Sequence, residues 1–178
     1  VGPGDRWYVI GNIPYNITSP ILEWLIVNRQ WVSRAVLTVQ WELAERLAAR
    51  PGTKAWGALS VFLKFYADFE CLKKISAASF FPSPSVDSAV IRIRFLKESR
   101  FPKVDETLFF YMVRRAFQKR RKTLLNALEN QEDERFSRIL IGRALASTGI
   151  DHRRRPETLA LEEWAALSGC FSRQNMGK

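Results

Sequence analysis

The tetrapeptide Asn12-Ile13-Pro14-Tyr15 contains the residue types that most directly suggest chemistry. Its target could be the exocyclic amine of an adenine, a poor nucleophile because its lone pair is delocalised into the ring. The Asn12 side-chain oxygen and the Ile13 carbonyl could accept the two amine N–H bonds, with Pro14 stiffening the turn. Tyr15 would offer a flat face on which an extruded base stacks. A turn that merely joins a strand to a helix is an equally good interpretation of four residues.

A second candidate is the proline-rich segment from Phe80 to Ser88. Its alternating prolines hold the backbone extended, so an aromatic ring at its start can project at a fixed angle. Phe80 could therefore cover the face of a base opposite Tyr15. Taken alone, the segment is better explained as a connection between strands with core phenylalanines, in which Asp87 fixes a turn.

A third candidate is a run of cations that contains no acidic residue. Six of the nine residues from 114 to 122 are basic, and they are Arg114, Arg115, Lys119, Arg120, Arg121 and Lys122. A solvated helix face is the usual meaning of a charge run, but such faces normally mix both signs. The run therefore favours contact with phosphates. Arg153-Arg154-Arg155 forms a weaker patch, because Asp151 and Glu157 flank it.

Composition points to the same class of partner. The chain has 178 residues, with 28 Lys and Arg against 18 Asp and Glu, and a net charge of +10. Together with 6 Trp, 4 Tyr and 12 Phe, this excess favours a nucleic-acid partner. A basic domain without a polyanion partner would explain the charge alone equally well.

Several classes of protein are excluded by residues that the sequence lacks. The only histidine is His152, so histidine-based metal sites and catalytic triads are not expected. Cys71 and Cys170 are too far apart in sequence for a Cys-x-x-Cys site and fit a reducing cytoplasm. No apolar run approaches the ~18 residues that span a bilayer, and no signal peptide is visible. The turn-like start Val1–Asp5 suggests a chain cut from a longer one.

The first half of the chain alternates strands and helices. Residues 7–10 predict a buried strand ended by Gly11, and residues 35–39 predict another. Between them a helix should begin with Ser19 as its cap and Pro20 at its first position. A second helix is predicted for about residues 41–49. This order is typical of a parallel α/β sheet, with ligands bound beyond the carboxyl ends of its strands.

The remaining elements divide the chain into two predicted domains. Residues 57–66 favour a helix, and residues 69–75 and 88–95 predict an antiparallel pair of strands that closes one edge of the sheet. From Val104 onward only helical periodicity is visible, including a stretch that contains Ile139. We therefore expect an α/β domain over residues 1–100 and a small all-helical domain over residues 101–178.

Five segments, in this order, resemble the rRNA adenine N6-dimethyltransferases, and the last two favour the KsgA type over the Erm type, which modifies large-subunit rRNA. The segments are Asn12–Pro20, Gln40–Leu47, Phe80–Val90, Ala116–Asn126 and Arg155–Leu159. The resemblance implies the distal part of a class I, Rossmann-like sheet that uses S-adenosylmethionine, followed by a helical C-terminal domain.

The implied activity is the addition of two methyl groups to each of two adjacent adenosines near the 3′ end of small-subunit rRNA, with no metal. By matching motif positions, Asn12 and the Ile13–Pro14 backbone would hold the target amine, and Tyr15 and Phe80 would stack on the base. Asn12 and Pro14 would also touch the edge of the cofactor, and the basic run at 114–122 would bind RNA. The expected partner is the 30S-type subunit in the cytoplasm, and neither DNA nor a membrane is expected.

The sequence departs from the family pattern in one respect. The Gly-rich cofactor loop and the acidic residue that holds the ribose are absent. Gly2 and Gly4 cannot replace the loop, because they precede the first strand instead of following it. We therefore predict that this chain alone binds S-adenosylmethionine weakly or not at all. We also predict that the strand at residues 7–10 becomes an open edge that is paired with another copy, rearranged, or covered in a longer protein.

Two other functions fit part of the pattern. A non-catalytic RNA-binding or assembly factor would share the basic segments but would not need the set Asn12, Tyr15 and Phe80. A DNA adenine methyltransferase would share the Asn-x-Pro-Tyr loop, although the arginine-rich helical region makes it the weaker alternative.

Overall fold

The computed structural model describes residues 6–176, with side chains in the last helix as far as Arg173. The turn predicted for Val1–Asp5, with Gly2 and Gly4, lies outside the described residues. The chain forms two compact units. The first takes the chain up to Ala49 together with Phe62–Arg100, and the second takes Arg50–Val61 together with the chain from Phe101 onward.

A four-stranded mixed sheet forms the centre of the first unit. Its strands are β1 (Trp7–Asn12), β2 (Val32–Gln40), β3 (Ala67–Ile75) and β4 (Ser88–Phe95), in the order β1-β2-β4-β3. β1 is parallel to β2, and β4 is antiparallel to both β2 and β3. The three parallel strands therefore end at the edge of the sheet where β4 begins. The predicted antiparallel pair of strands is confirmed.

Strand β1 differs from its prediction in two ways. It continues through Gly11 to Asn12, because these residues pair with Leu37 and Thr38 of β2. It is also not buried, since Tyr8 is 69% exposed and Ile10 is 83% exposed. An apolar run shows that a segment can be buried, but burial itself depends on whether another strand or layer covers it.

Helix α1 (Thr18–Val27) begins two residues earlier than predicted. A short 3-10 turn over Tyr15–Ile17 leads directly into it, and Ile17, not Ser19, occupies the cap position. The Thr18 hydroxyl donates to the Pro14 carbonyl at 3.2 Å, which ties the start of the helix to the preceding loop. Pro20 still lies in the first turn, where a backbone N–H has no partner within the helix.

The other two helices linked to the sheet confirm their predictions. They are α2 (Trp41–Ala48) and α3 (Ala58–Tyr66). Alternate residues of the two central strands, such as Leu37 and Ile91, are fully buried, while Arg92 and Arg94 on the other face are exposed. This alternation explains why β4 could be delimited correctly from its sequence.

The second unit contains four helices and no strand among the residues that the structure describes. They are α4 (Glu106–Gln118), α5 (Leu124–Leu128), α6 (Arg138–Ser147) and α7 (Leu161–Met176). Asp105 caps α4 by accepting a hydrogen bond from the Leu108 N–H at 3.1 Å. Phe109, Phe136 and Trp164 lie in the core, but Ile139, which was predicted to pack, is 68% exposed. The spacing of Ile139 from the buried residues of α6 follows the helical period only approximately.

The segment 50–61 belongs to this helical unit. The Trp56 side chain is 1% exposed, and its Nε1–H donates to the Leu159 carbonyl at 3.0 Å. The Gly52 N–H donates to the Glu157 carbonyl at 2.7 Å. The predicted division at residue 100 placed residues 50–61 in the first domain and therefore did not anticipate these contacts. Among the described helices, none has the length and apolar character needed to cross a membrane.

Candidate functional site

Asn12, Gln40 and Ser88 are brought to one edge of the sheet by its strand order. Asn12 ends β1 and pairs with Thr38, while Gln40 ends β2 and pairs with Ser88. Ser88 begins β4 and also pairs with Ile75, the last residue of β3. The edge therefore contains three carboxyl strand ends, the place where open α/β sheets bind ligands.

The loop after β1 leaves two hydrogen-bond acceptors available. The Ile13 N–H donates to the Thr38 carbonyl at 3.2 Å, so pairing with β2 ends there. The Pro14 carbonyl accepts from the Ile17 N–H at 3.1 Å and from the Thr18 hydroxyl. Asn12 is exposed, and within the described residues neither its side chain nor the Ile13 carbonyl has a hydrogen-bond partner. The two predicted acceptors are thus open to a ligand, whereas the Pro14 carbonyl is occupied.

Gly11 lies close to the side chain of the first loop residue. A Cβ atom on Gly11 would lie 2.8 Å from Cδ1 of Ile13, the far end of a flexible side chain. A larger residue at this position would therefore require the Ile13 side chain to shift.

Tyr15 is anchored to the first residue of β4. Its hydroxyl lies 2.6 Å from Oγ of Ser88, which is fully buried. The Tyr15 ring is half-buried and lies in the 3-10 turn that follows the loop. The contact links the loop after β1 to β4.

Phe80 is held by a turn that Asp87 fixes. The Ala77 N–H donates to Oδ1 of Asp87 at 3.1 Å, and the Ala77 carbonyl accepts from the Phe80 N–H at 3.2 Å. Lys74 lies 3.0 Å from Oδ2 of Asp87 and, with the Ala77 N–H, lowers the pKa of this carboxyl. The interpretation of Asp87 as a residue that fixes a turn is confirmed.

Two further aromatic residues near these strand ends were not assigned to the site from the sequence. Phe81 is fully exposed, whereas its neighbour Phe80 is half-buried. Trp41 begins α2, its N–H donates to the Asp87 carbonyl at 2.9 Å, and Lys74 lies 4.7 Å from the centre of its ring. Exposure of one of two adjacent phenylalanines is a property of the folded loop, so no sequence signal separates them.

Two arginines of the basic run bind the protein's own backbone. The Arg115 guanidinium donates to the carbonyls of Leu128, at 2.9 Å, and Glu129. The Arg120 guanidinium donates to the carbonyls of Lys54, at 2.8 Å, and Trp56, at 3.0 Å. Both were predicted to contact RNA, and both have donors engaged inside the helical unit. Spacing in the sequence cannot show whether a cation meets solvent or a carbonyl.

The other members of the run are exposed. Arg114 lies on α4, while Lys119, Arg121 and Lys122 lie in the turn between α4 and α5, where the Lys122 N–H donates to the Lys119 carbonyl at 2.8 Å. Their exposed side chains are the part of the run to which the prediction of polyanion contact still applies.

This turn is one of three neighbouring basic loops in the helical unit. The first N–H groups of α5 donate to the carbonyls of Arg154, at 2.7 Å, and His152, which brings in the loop 151–155. Arg120 attaches the loop 50–56, and Gly52 links that loop to Glu157. We call these three loops the basic junction. Its exposed cations are Arg50, Lys54, Lys119, Arg121, Lys122, Arg153 and Arg155.

Arg154 does not belong to that exposed set. Its guanidinium makes two hydrogen bonds with the Glu163 carboxylate, one of them at 3.0 Å, and lowers the pKa of Glu163. Arg153 lies 3.4 Å from Asp151. No group of three or more His, Cys, Asp or Glu side chains within the described part of the chain could hold a metal ion.

Comparison with known proteins decides the family. The family model described as "Ribosomal RNA adenine dimethylase" matches residues 2–167. The chain belongs to this family. Curated relatives include ribosomal RNA small subunit methyltransferase A of Geobacillus sp. (strain WCH70), 44% identical over 92% of this chain. The protein of the same name from Myxococcus xanthus is 45% identical over 89%, and that from Geobacter metallireducens is 46% identical over 93%.

The family resemblance inferred from five motifs is therefore confirmed. The chain covers 56% of the Geobacillus and Myxococcus relatives and 60% of the Geobacter relative. It thus spans little more than half the length of these family members.

Solved structures share the fold. A dimethyladenosine transferase from Plasmodium falciparum superposes with a TM-score of 0.77 at 21% identity, over 98% of this chain and 70% of that one. The 23S rRNA methyltransferase ErmE superposes with a TM-score of 0.67 at 24% identity, over 96% and 67%. The predicted fold class, a Rossmann-like sheet with a helical C-terminal part, is confirmed.

Proposed function

We propose that the full-length protein is an S-adenosylmethionine-dependent dimethyltransferase of two adjacent adenosines near the 3′ end of small-subunit rRNA. In this proposal the described residues hold the target base and bind the RNA. The observation that carries it is the pair of unpartnered acceptors, Asn12 and the Ile13 carbonyl, beside a tyrosine anchored at the ligand-binding edge of the sheet.

The two acceptors would act on the exocyclic amine of the adenosine. Hydrogen bonds from its two N–H groups to Asn12 Oδ1 and the Ile13 carbonyl draw the nitrogen toward a pyramidal geometry, so its lone pair leaves the ring system. When bound, S-adenosylmethionine would supply a methyl group activated by its sulfonium, and the electron pair of the broken carbon–sulfur bond would stay on the sulfur. The same two oxygens stabilise the positive charge that the nitrogen gains in the transition state, and one amine proton then leaves to water.

The residues present could contact S-adenosylmethionine only at the edge that faces the target amine. Asn12 has an exposed polar side chain at the strand end and can reach a bound group, whereas the Pro14 carbonyl is already bonded within the loop. Pro14 would therefore offer only its ring as a contact. The described residues that follow β1 provide no glycine-rich turn, since Ile13, Pro14 and Tyr15 stand there.

Tyr15 and Phe80 would hold the two faces of the base. Stacking on aromatic rings contributes about 1–3 kcal/mol per base, which helps to offset the cost of extruding a nucleotide from its helix. The ring of Tyr15 is held at its hydroxyl, and the backbone of Phe80 is held by its turn.

The basic junction would bind the phosphates of the RNA. Three loops linked by backbone hydrogen bonds present cations together, so the surface is fixed before RNA arrives. Lys54 and Arg50 extend it beyond the run at 114–122. The small subunit is the proposed target because the relatives at 44–46% identity are named small subunit methyltransferases. We place the reaction in the cytoplasm, with no metal.

Methyl transfer by the full-length protein tests the proposal. Labelled S-adenosylmethionine is offered with small subunits lacking the modification, with large subunits, and with duplex DNA. Label in dimethyladenosine of the small subunit alone is the expected result. Transfer to large subunits would favour an Erm-type enzyme, transfer to DNA would favour a DNA methyltransferase, and RNA binding without transfer would favour an assembly factor.

A further inference from the structure

We propose that Asp87 and Ser88 are positioning residues that together set the distance between the two stacking rings of the base site. The inference rests on the proposed function, because it takes Tyr15 and Phe80 as the two rings that stack on the base. Neither Asp87 nor Ser88 needs to touch the base.

Ser88 fixes the far end of the Tyr15 ring. Its Oγ lies 2.6 Å from the tyrosine hydroxyl, and the serine is 0% exposed. Ser88 is itself held on both sides, by pairing with Gln40 of β2 and with Ile75 of β3. A ring that is tied at its backbone and at its hydroxyl cannot tilt freely, so its face keeps one orientation.

Asp87 fixes the turn that carries Phe80. Its two carboxylate oxygens hold the Ala77 N–H at 3.1 Å and the Lys74 ammonium at 3.0 Å, and its carbonyl accepts from Trp41 at 2.9 Å. The Ala77 carbonyl in turn accepts from the Phe80 N–H and from the Ser83 hydroxyl. The segment around Phe80 is therefore attached to Asp87 through one residue.

Because Asp87 and Ser88 are adjacent, the two walls of the site share one anchor. A trans peptide fixes their Cα atoms at about 3.8 Å. Tyr15 is bonded to Ser88, and the segment around Phe80 is bonded to Asp87, so both are attached at the start of the central strand β4. In this proposal the shared attachment sets the separation of the two rings that stack on the base.

A double-mutant cycle tests the link between Ser88 and Tyr15. Ser88→Ala, Tyr15→Phe and the double variant of the full-length protein are assayed with small-subunit rRNA, and 2-aminopurine in place of the first adenosine reports stacking by its quenched fluorescence. We expect each single variant to lose about tenfold in kcat and part of the quenching, because small misplacement of a reacting group is costly. The double variant should be no worse than either single one.

The controls separate positioning from folding. Ser168→Ala removes another buried serine, whose hydroxyl has no hydrogen-bond partner among the described residues, and should leave kcat and quenching unchanged. The KM for RNA should change less than twofold in every variant, since phosphate contacts dominate affinity. Additive losses in the double variant, or full quenching in Ser88→Ala, would overturn the role of Ser88.

Asp87 is tested by a graded pair of substitutions. Asp87→Asn keeps an oxygen for the Ala77 N–H and should retain most of the quenching, whereas Asp87→Ala removes it and should lose quenching and about tenfold in kcat. Equal behaviour of the two variants would refute the role of Asp87. If the unsubstituted protein transfers no methyl group, the proposed function fails as a whole; if it does and these patterns are absent, only this inference fails.

Discussion

Asn12 is the residue on which the proposed chemistry depends most directly. We expect Asn12→Ala in the full-length protein to lower methyl transfer by about 10²–10³-fold, the usual effect of removing one group that stabilises transition-state charge. RNA affinity, measured by fluorescence anisotropy, should change less than twofold because no phosphate contact is touched. Asn16→Ala, an exposed asparagine of the same segment, is the matched control. Near-normal turnover of Asn12→Ala would contradict the assigned role.

Glu163 should make the stability of the helical unit depend on pH. Its hydrogen bond with Arg154, and then that with the Ala160 N–H, lower its pKa in the folded state from 4.5. A carboxyl with a lowered pKa stabilises the fold above its unfolded pKa and loses that contribution as the pH falls through the folded pKa. Urea unfolding should therefore show Glu163→Gln destabilised at pH 7, and the difference from the unsubstituted protein should be smaller at a pH below 4.5.

Glu162→Gln provides the comparison for that experiment, because Glu162 is exposed and precedes Glu163 on the same helix. Its stability should follow that of the unsubstituted protein at both pH values. An equal pH dependence in all three proteins would show that the Arg154 contact contributes nothing.

At the scale of single residues, the sequence indicated candidate site residues but not which of their hydrogen-bonding groups are already engaged within the protein. Asn12 and Tyr15 follow from residue type and position after a strand. Arg115 and Arg120 did not separate from their neighbours, because their carbonyl partners lie 13 and 64 or more residues away in the chain. Such long-range contacts leave no local pattern.

The turn between α4 and α5 should carry part of the salt dependence of RNA binding. Replacing Arg121 and Lys122 with Gln should weaken binding and lower the slope of log K against log salt by about 1–2, because each phosphate contact contributes about 0.7–0.9. Anisotropy titrations from about 50 to 200 mM salt measure it. An unchanged slope would show that these residues do not contact phosphates.

Arg115→Gln gives the opposite expectation for a residue of the same basic run. Its loss leaves the Leu128 and Glu129 carbonyls without their guanidinium donor, so thermal unfolding should shift downward while the salt slope stays the same. Arg120→Gln should behave similarly through the loop that contains Lys54. Compared with the substitutions of Arg121 and Lys122, these two therefore distinguish arginines that stabilise the fold from cations that contact phosphates.

At the scale of elements, prediction succeeded where the local alternation of apolar and polar residues is enough to show which residues are buried. β4 alternates buried and exposed residues from Ile91 to Phe95, and its bounds were correct. The segment 50–61 could not be placed, because Trp56 joins the helical unit through Leu159, 103 residues away. The first turn of α1 was also misplaced, since a preceding 3-10 turn replaces the usual serine cap.

At the scale of the whole molecule, cofactor binding should distinguish this chain from the full-length protein. The described residues offer Asn12 to the cofactor's edge but no turn that could hold its remainder. We expect isothermal titration of S-adenosylmethionine into this 178-residue chain to show weak binding or none. Micromolar affinity would contradict this, and it would require a site built from residues other than those at the end of β1.

The exposed strand β1 gives the last prediction. It pairs with β2 on one side, and Tyr8 and Ile10 are exposed on its face. An apolar edge of this kind invites pairing with another chain, and a charge placed on it blunts that tendency. We expect this chain alone to self-associate in sedimentation velocity, and Ile10→Lys to reduce the association. In the full-length protein the β1 amides should exchange hydrogen more slowly than in this chain. A monomer whose β1 amides exchange equally fast in both proteins would show that the edge is stable without a cover.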